Sequence, residues 1–249
     1  MTNIILEVDL CLFDLDGTIV NTTIAAETAW TALCREHGVD PVELLKFSHG
    51  VRSGEVLKKF FPQIDNTDNK ATIALEMTLS EKYVDTVRLV EGAKNLLLSL
   101  DKDTKHPGQT LKRSKWAIVT SGSANITHSW FNNVLKDVEK PEVFITAFDV
   151  KHGKPDPEGY TIARNKLCEI WQYEDVLNCK TVVFEDAPAG IQAGKALGAK
   201  TIGIATTFPK KKLFEAGADY VVQDLTYVTV IENSNNGNIV LQIKDPLKP

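Results

Sequence analysis

Short, continuously apolar runs punctuate the chain at Val8–Phe13, Trp116–Thr120, Val143–Ile145, Thr181–Phe184, Thr201–Ile204 and Tyr220–Val222. They lack strict apolar–polar alternation. Each therefore predicts a strand covered on both faces, as in a parallel sheet. Between the runs, Ile126–Val138, Glu158–Ile170 and Ala187–Leu197 have the length and composition of helices. Strand–helix alternation of this kind predicts a doubly wound α/β fold with a Rossmann-like parallel sheet. Sites in such sheets collect at the carboxyl ends of the strands.

The alternation stops between residues 21 and 87. That stretch contains no good strand, and Ala25–Glu36, Ser53–Phe61 and Lys70–Tyr83 read as amphipathic helices. The expected organisation is a small helical domain over residues 21–87, inserted into an α/β core made of residues 1–20 and 88–249. Glu91–Leu100 returns as a core helix, and polar Asp101–Ser114 reads as a solvated loop. Tyr227–Ile231 and Ile239–Ile243 flank an Asn/Gly-rich turn and predict a terminal hairpin.

Composition narrows the function classes. The 249 residues suffice for one large domain or two modest ones. A net charge of −5 argues against a general nucleic-acid or anionic-membrane binder. The N-terminal apolar run Ile4–Phe13 is interrupted by Glu7 and Asp9, lacks a basic leader and is too short to span a bilayer. A cytoplasmic monomer with no membrane partner is expected. Cys11, Cys34, Cys168 and Cys179 show no C-x-x-C spacing and read as reduced thiols.

Four clusters of reactive side chains fall at or near predicted strand ends. Asp14 and Asp16 follow the first strand within Phe13-Asp14-Leu15-Asp16-Gly17-Thr18. Residues i and i+2 of an extended chain share a face, so both carboxylates could face one pocket, although Asp and Gly are also ordinary turn residues. Thr120-Ser121-Gly122-Ser123 offers hydroxyls and N–H groups at a helix start, suited either to an anionic oxygen or to simple capping. Lys154 is pinned in Gly153-Lys154-Pro155, which lowers the entropy lost in fixing a long cation. Glu185 and Asp186 close a further strand, where they could complement a helix dipole or bind a hard cation. Gly190, Gly194 and Gly198 form a bare stripe that could let helix and sheet approach closely.

Taken in order, these clusters resemble the four motifs of the haloacid-dehalogenase-type phosphohydrolase superfamily: Asp14-Leu15-Asp16-Gly17-Thr18, Ser121, Lys154 and Glu185-Asp186. The helical insert resembles that superfamily's small cap. Segments such as KWAIVTSGS, GKPDPEGY and VVFEDAPAGIQAGKALGAK are most similar to the 2-deoxyglucose-6-phosphate phosphatase family and somewhat less so to glycerol-3-phosphate phosphatases.

The resemblance implies a phosphatase for a small sugar or polyol phosphate. Asp14 would be the nucleophile and Asp16 the general acid and base. Ser121, Lys154 and the Gly122 N–H would hold the transferring oxygens. Mg²⁺ would sit on Asp14, the Asp16 carbonyl and Asp186, with Glu185 direct or through water. Charge supports a cation, because like charges 4 Å apart repel by about 4 kcal/mol at an effective dielectric near 20, and Lys154 alone cannot offset the acids. Thr18, Ser123, Arg52 and His49 are further expected substrate contacts, with surface or structural roles as the alternatives for Arg52 and His49. Trp30 is expected in the core of the helical domain. A glycerol-phosphate or hexitol-phosphate phosphatase, a mutase and a non-catalytic phosphate-binding module remain as other readings.

Overall fold

The computed structural model describes residues 2–249. Strands β1 (Asn3–Val8), β2 (Leu10–Phe13) and β3 (Val20–Asn21) lead into helices α1 (Thr23–His37), α2 (Pro41–Ser48), α3 (Ser53–Phe60) and α4 (Lys70–Lys82). Then follow β4 (Arg88–Leu89), α5 (Ala93–Leu100), β5 (Trp116–Val119), α6 (Ala124–Asn132), β6 (Phe144–Ile145), α7 (Glu158–Ile170), β7 (Thr181–Glu185) and α8 (Pro188–Leu197). The chain ends with β8 (Lys200–Ile204), α9 (Lys210–Glu215), β9 (Tyr220–Val222), β10 (Val228–Glu232) and β11 (Ile239–Lys244).

The main sheet is six-stranded and parallel, in the order β6-β5-β2-β7-β8-β9. Its chain path reverses direction at β2. Ligands bind outside the carboxyl ends of the strands at such a switch point. Both faces are covered, as the continuous apolar runs require. Cys11 and Phe13 face a cluster that includes Trp116, Ile118 and Phe184, while Leu10 and Leu12 face Ala117, Val119, Tyr160 and Leu167. Phe13 stacks on Phe184 with ring centroids 4.3 Å apart, which locks β2 against β7 directly behind the site.

The first strand is shorter than its apolar run suggests. It begins at Leu10, and Asp9 separates it from β1, which pairs antiparallel with β11 in a separate three-stranded sheet. The break is held by a polar exchange: Asp9 N donates to Lys180 O at 2.7 Å, and Asp9 Oδ2 accepts from Lys180 N at 2.7 Å. Strand β1 alternates exposed positions with half-buried Ile4 and Leu6 and buried Val8, the signature of a sheet with one wet face. The expected terminal hairpin is present as β10 and β11.

Helices α1–α4 pack around their own apolar cluster of Trp30, Cys34, Leu44, Val56, Leu57 and Phe61. Trp30 stacks on Phe61 there, with centroids 6.3 Å apart. Helix α2 is absent from the sequence reading. Its apolar stretch is brief, but Asp40 caps it by accepting from Val42 N, and Pro41 opens its first turn. At the neck, β3 pairs with β4 through Val20↔Leu89 and Asn21↔Arg88. A two-residue ladder is too short to announce itself in hydropathy.

Two other expectations change. Helix α6 ends at Asn132, short of Val138, with Asn133 outside helical geometry. The loop after α5 is largely exposed, yet Asp103 is buried in it and Asp101 accepts the Trp116 indole N–H at 2.8 Å. The loop therefore braces β5 as well as meeting solvent.

Candidate active site

The carboxyl ends of β2, β5 and β7 converge beneath the helical insert. Asp14 directly follows β2, and its N–H donates to Phe184 O at 3.0 Å. Lys154, preceding a cis peptide bond to Pro155, reaches in from the turn before α7. Its Nζ donates to Asp14 Oδ1 at 2.5 Å, to Glu185 Oε1 at 2.6 Å and to Val119 O at 3.0 Å. Tyr160 donates its hydroxyl to the same Glu185 oxygen at 2.7 Å, and Ala187 N donates to the other at 3.3 Å. Lys154 thus ties three strand ends together.

Glycine is required around these acids. A Cβ on Gly190 would lie 1.7 Å from Glu185 Oε1, so the bare first turn of α8 makes room for that carboxylate. Gly17 has φ +95°, and a Cβ there would lie 2.0 Å from Asp186 Oδ2. Gly194 gives α8 its close approach to the sheet, as the stripe suggests, whereas Gly198 ends the helix in the left-handed conformation.

Oxygens of Asp14, Glu185 and Asp186 all lie within 4.8 Å of one another, and all three residues are buried. Three clustered hard-oxygen donors with one lysine between them fit a divalent cation such as Mg²⁺. The electrostatics agree. Burial pushes Asp14 well above the usual carboxylate range; Lys154 opposes this, and Glu185 and Asp186 add to it. Burial, reinforced by Glu185, lifts Asp186 to about 7. Burial pulls on Lys154 in the opposite sense, but Asp14 and Glu185 outweigh it and hold the ammonium above its ordinary value. Glu185 is already occupied by Lys154, Tyr160 and Ala187, which leaves Asp14 and Asp186 as the freer donors.

Asp16 occupies a separate pocket of the same cavity. Its Oδ1 accepts the Trp130 indole N–H at 3.0 Å, and its Oδ2 accepts from Thr120 Oγ1 at 3.2 Å. Burial raises its pKa against both hydrogen bonds, the direction a proton donor needs.

The remaining expected residues are distributed unevenly. Ser121 and Gly122 line the cavity, but Ser121 Oγ donates to Gly50 O at 2.9 Å and Gly122 N donates to Thr120 Oγ1 at 2.9 Å. Thr18 lies off the cavity lining; it is fully buried and donates to Asp186 Oδ1 at 3.3 Å, so it orients that acid. Ser123 is also fully buried, and its N–H donates to Glu76 Oε2 at 3.1 Å.

His49 lines the cavity, pairs through Nε2 with Glu27 Oε1 at 3.2 Å and meets the Phe208 ring edge-on. Burial lowers its pKa despite Glu27, which favours the neutral ring. Arg52 sits beside the main cavity. It pairs with Glu55 and donates to the carbonyls of Ala147, Val150 and Lys151 across the gap.

Trp130, Tyr160 and Glu76 contact the candidate site without having been expected there, and Thr120, expected only as part of its hydroxyl cluster, bonds Asp16. Glu76 carried a usable signal. It falls in a buried helical stripe with Thr72 and Leu79, where a charge needs a reason.

Paired carboxylates and a bridging lysine thus meet a cavity at the switch point of a doubly wound parallel sheet, the place where α/β enzymes bind their ligands. The chain belongs to the haloacid dehalogenase-like hydrolases, whose family model matches residues 11–204. It is 62% identical over 240 residues to 2-deoxyglucose-6-phosphate phosphatase 2 of Saccharomyces cerevisiae, covering 96% of this chain and 97% of that one. Glycerol-1-phosphate phosphohydrolase 1 of the same organism is 38% identical, with 97% and 93% covered. Among solved structures, a family IA, variant 3 HAD hydrolase from Entamoeba histolytica superposes with a TM-score of 0.70 at 22% identity, over 90% of this chain and 96% of that one. The phosphatase expected from the motifs agrees with these relatives. Among the described residues, no helix is long and apolar enough to cross a membrane.

Proposed function

We propose that the protein is a Mg²⁺-dependent phosphatase of small sugar or polyol phosphates, with 2-deoxyglucose 6-phosphate as the model substrate, working through an aspartyl-phosphate on Asp14. One observation carries this reading: Lys154 Nζ bridges Asp14 and Glu185 at 2.5 and 2.6 Å beside Asp186, under a cavity shared with Asp16. The sugar-phosphate phosphatases among its relatives support the substrate class.

Asp14 Oδ attacks phosphorus, its P–O bond forming as the bond to the leaving oxygen breaks. Asp16 gives its proton to that alkoxide, then takes one from the water that cleaves the aspartyl-phosphate. Lys154, freed in part from Asp14, balances charge on the phosphoryl oxygens, with Ser121 and the Gly122 N–H as their further partners once these exchange their present ones. Asp14, Asp186 and the Asp16 carbonyl would hold the Mg²⁺, with Glu185 behind, and the ion would supply Lewis-acid neutralisation of the phosphate.

Residues 21–87 act as a cap whose closure excludes water. Helices α1–α4 have their own apolar cluster, and Ser121–Gly50 and the Arg52 contacts join the two parts.

The test is phosphate release across sugar and polyol phosphates, ranked by kcat/KM, with Asp14→Asn beside the unaltered protein. The expected result is turnover of neutral sugar phosphates and a loss of at least about 10³-fold in the folded variant. Substantial activity in Asp14→Asn would remove the nucleophile assignment.

A further inference from the structure

We infer that Glu76 sets the charge selectivity of the cavity: its carboxylate accepts a hydroxyl from a neutral leaving group and repels one carrying a second anion. The inference rests on the phosphatase reading above and deepens it.

Glu76 stands on α4, 2% exposed, with its side chain on the cavity wall. Oε1 accepts from Ser53 Oγ at 3.0 Å and Oε2 accepts from Ser123 N at 3.1 Å. These two donors, one on α3 and one at the start of α6, fix the carboxylate between insert and sheet. A carboxylate has about four acceptor positions, so the group retains acceptor capacity toward the cavity. No cation pairs with it among the described residues' ion pairs.

The cavity's charge is one-sided. Asp14, Asp16, Asp186 and Glu76 line it, and among the described residues its lining includes no lysine or arginine. At the phosphoryl end this is offset, because Lys154 lies against Asp14. At the leaving-group end it is not. Arg52, expected from the sequence as a substrate contact, is committed to Glu55 and three backbone carbonyls and lines the neighbouring hollows instead. Asp16, which is assigned the leaving oxygen, is close enough to Glu76 to push its pKa up, a smaller effect than that of burial. Glu76 lines the same cavity as Asp16, beside Trp30, Leu79, Ile126 and Trp130, and this is where the body of the leaving group is placed. Those mostly apolar walls accept a carbon skeleton, and among the described residues the lining carries no lysine or arginine to pair with a second anion. A carboxylate held in such a wall rewards an O–H donor and leaves an incoming carboxylate or phosphate without a partner.

If Glu76 only pinned α4 to α6, its removal would lower stability without altering the choice between substrates. The test uses glycerol 3-phosphate and 3-phosphoglycerate, which share a three-carbon skeleton and differ in a CH₂OH against a carboxylate. The unaltered protein should prefer glycerol 3-phosphate at least 100-fold in kcat/KM. Glu76→Gln, of the same shape without the charge, should narrow that preference at least tenfold, about 1.4 kcal/mol. Most of the change should come from a lower KM for 3-phosphoglycerate.

Glu76→Asp should keep the preference within about threefold. Unfolding transitions are recorded for each variant, and Glu76→Met replaces the Gln variant if that one does not fold. A preference that Glu76→Gln or Glu76→Met leaves unchanged, or an unaltered protein that is indifferent to the two substrates or inactive on glycerol 3-phosphate, overturns the inference and leaves the phosphatase reading standing. An unaltered protein that turns over no sugar or polyol phosphate overturns that reading itself.

Discussion

Trp130 donates its indole N–H to Asp16 Oδ1 at 3.0 Å, so a buried aromatic residue on α6 aims the carboxyl group assigned to proton transfer. Trp130 is itself fully buried. A buried indole N–H needs a partner, and here the partner is the acid proposed to handle the proton. Thr120 holds the other oxygen, so Asp16 is clamped from two elements before any substrate arrives.

Replacing Trp130 with Phe keeps an aromatic ring and removes the donor. A hydrogen bond to a charged group contributes about 1.5–3 kcal/mol, so kcat for sugar phosphates should fall roughly 10- to 100-fold. Nitrophenyl phosphate, whose leaving group needs no proton, should be affected much less. Equal losses on both substrates would show that the indole supports the fold and not the acid.

Metal binding should depend on pH in a stated sense. Asp186 is lifted to about 7 by burial and by Glu185, so the metal-free native protein holds a proton that the unfolded chain releases in the ordinary carboxylate range. The native state then binds more protons than the unfolded one between about pH 4 and pH 7, and this group's contribution to stability falls as pH rises through that window. A divalent cation must displace the proton. Added Mg²⁺ should therefore raise the Tm clearly at about pH 7.5 and much less at about pH 5.5. A chelator should abolish turnover. An Mg²⁺-induced Tm shift that is absent at the higher pH, or identical at both, would contradict the cation assignment.

Arg52 separates two roles by substrate choice. Its guanidinium spans from α3 to the carbonyls of Ala147, Val150 and Lys151. If it latches the insert over the sheet, Arg52→Ala should raise KM by about tenfold, near 1.4 kcal/mol, for a sugar phosphate and for nitrophenyl phosphate alike. A rise confined to the sugar phosphate would assign Arg52 to the substrate instead. The observed contacts favour the first outcome.

The strand ends were legible because the carboxylates and Ser121 follow or close runs of apolar side chains, whereas Lys154 reaches in from a turn. Asp14 after Phe13 and Asp186 after Glu185 are polar where a covered strand must stop. Helices α1, α3 and α4 were legible from amphipathic spacing, whereas α2 was not. Contacts between distant elements were not. Nothing local in Trp130 indicates Asp16, 114 residues earlier, and nothing in Glu76 indicates Ser123. Arg52 was singled out for its position in the insert, but which carbonyls it meets depends on how the insert sits on the sheet. Asp9 reads as one polar residue in a long apolar run until its exchange with Lys180 shows two strands on either side of it.

The Val20–Leu89 pairing has an architectural consequence. The chain departs for α1–α4 and comes back from them through neighbouring, mutually bonded residues. The excursion thus leaves and rejoins the core at one seam, while Ser121–Gly50, Glu76–Ser123 and the Arg52 contacts hold it against the sheet further on. Because departure and return are adjacent, the length of the excursion need not disturb the spacing of Asp14, Lys154 and Asp186 in the core.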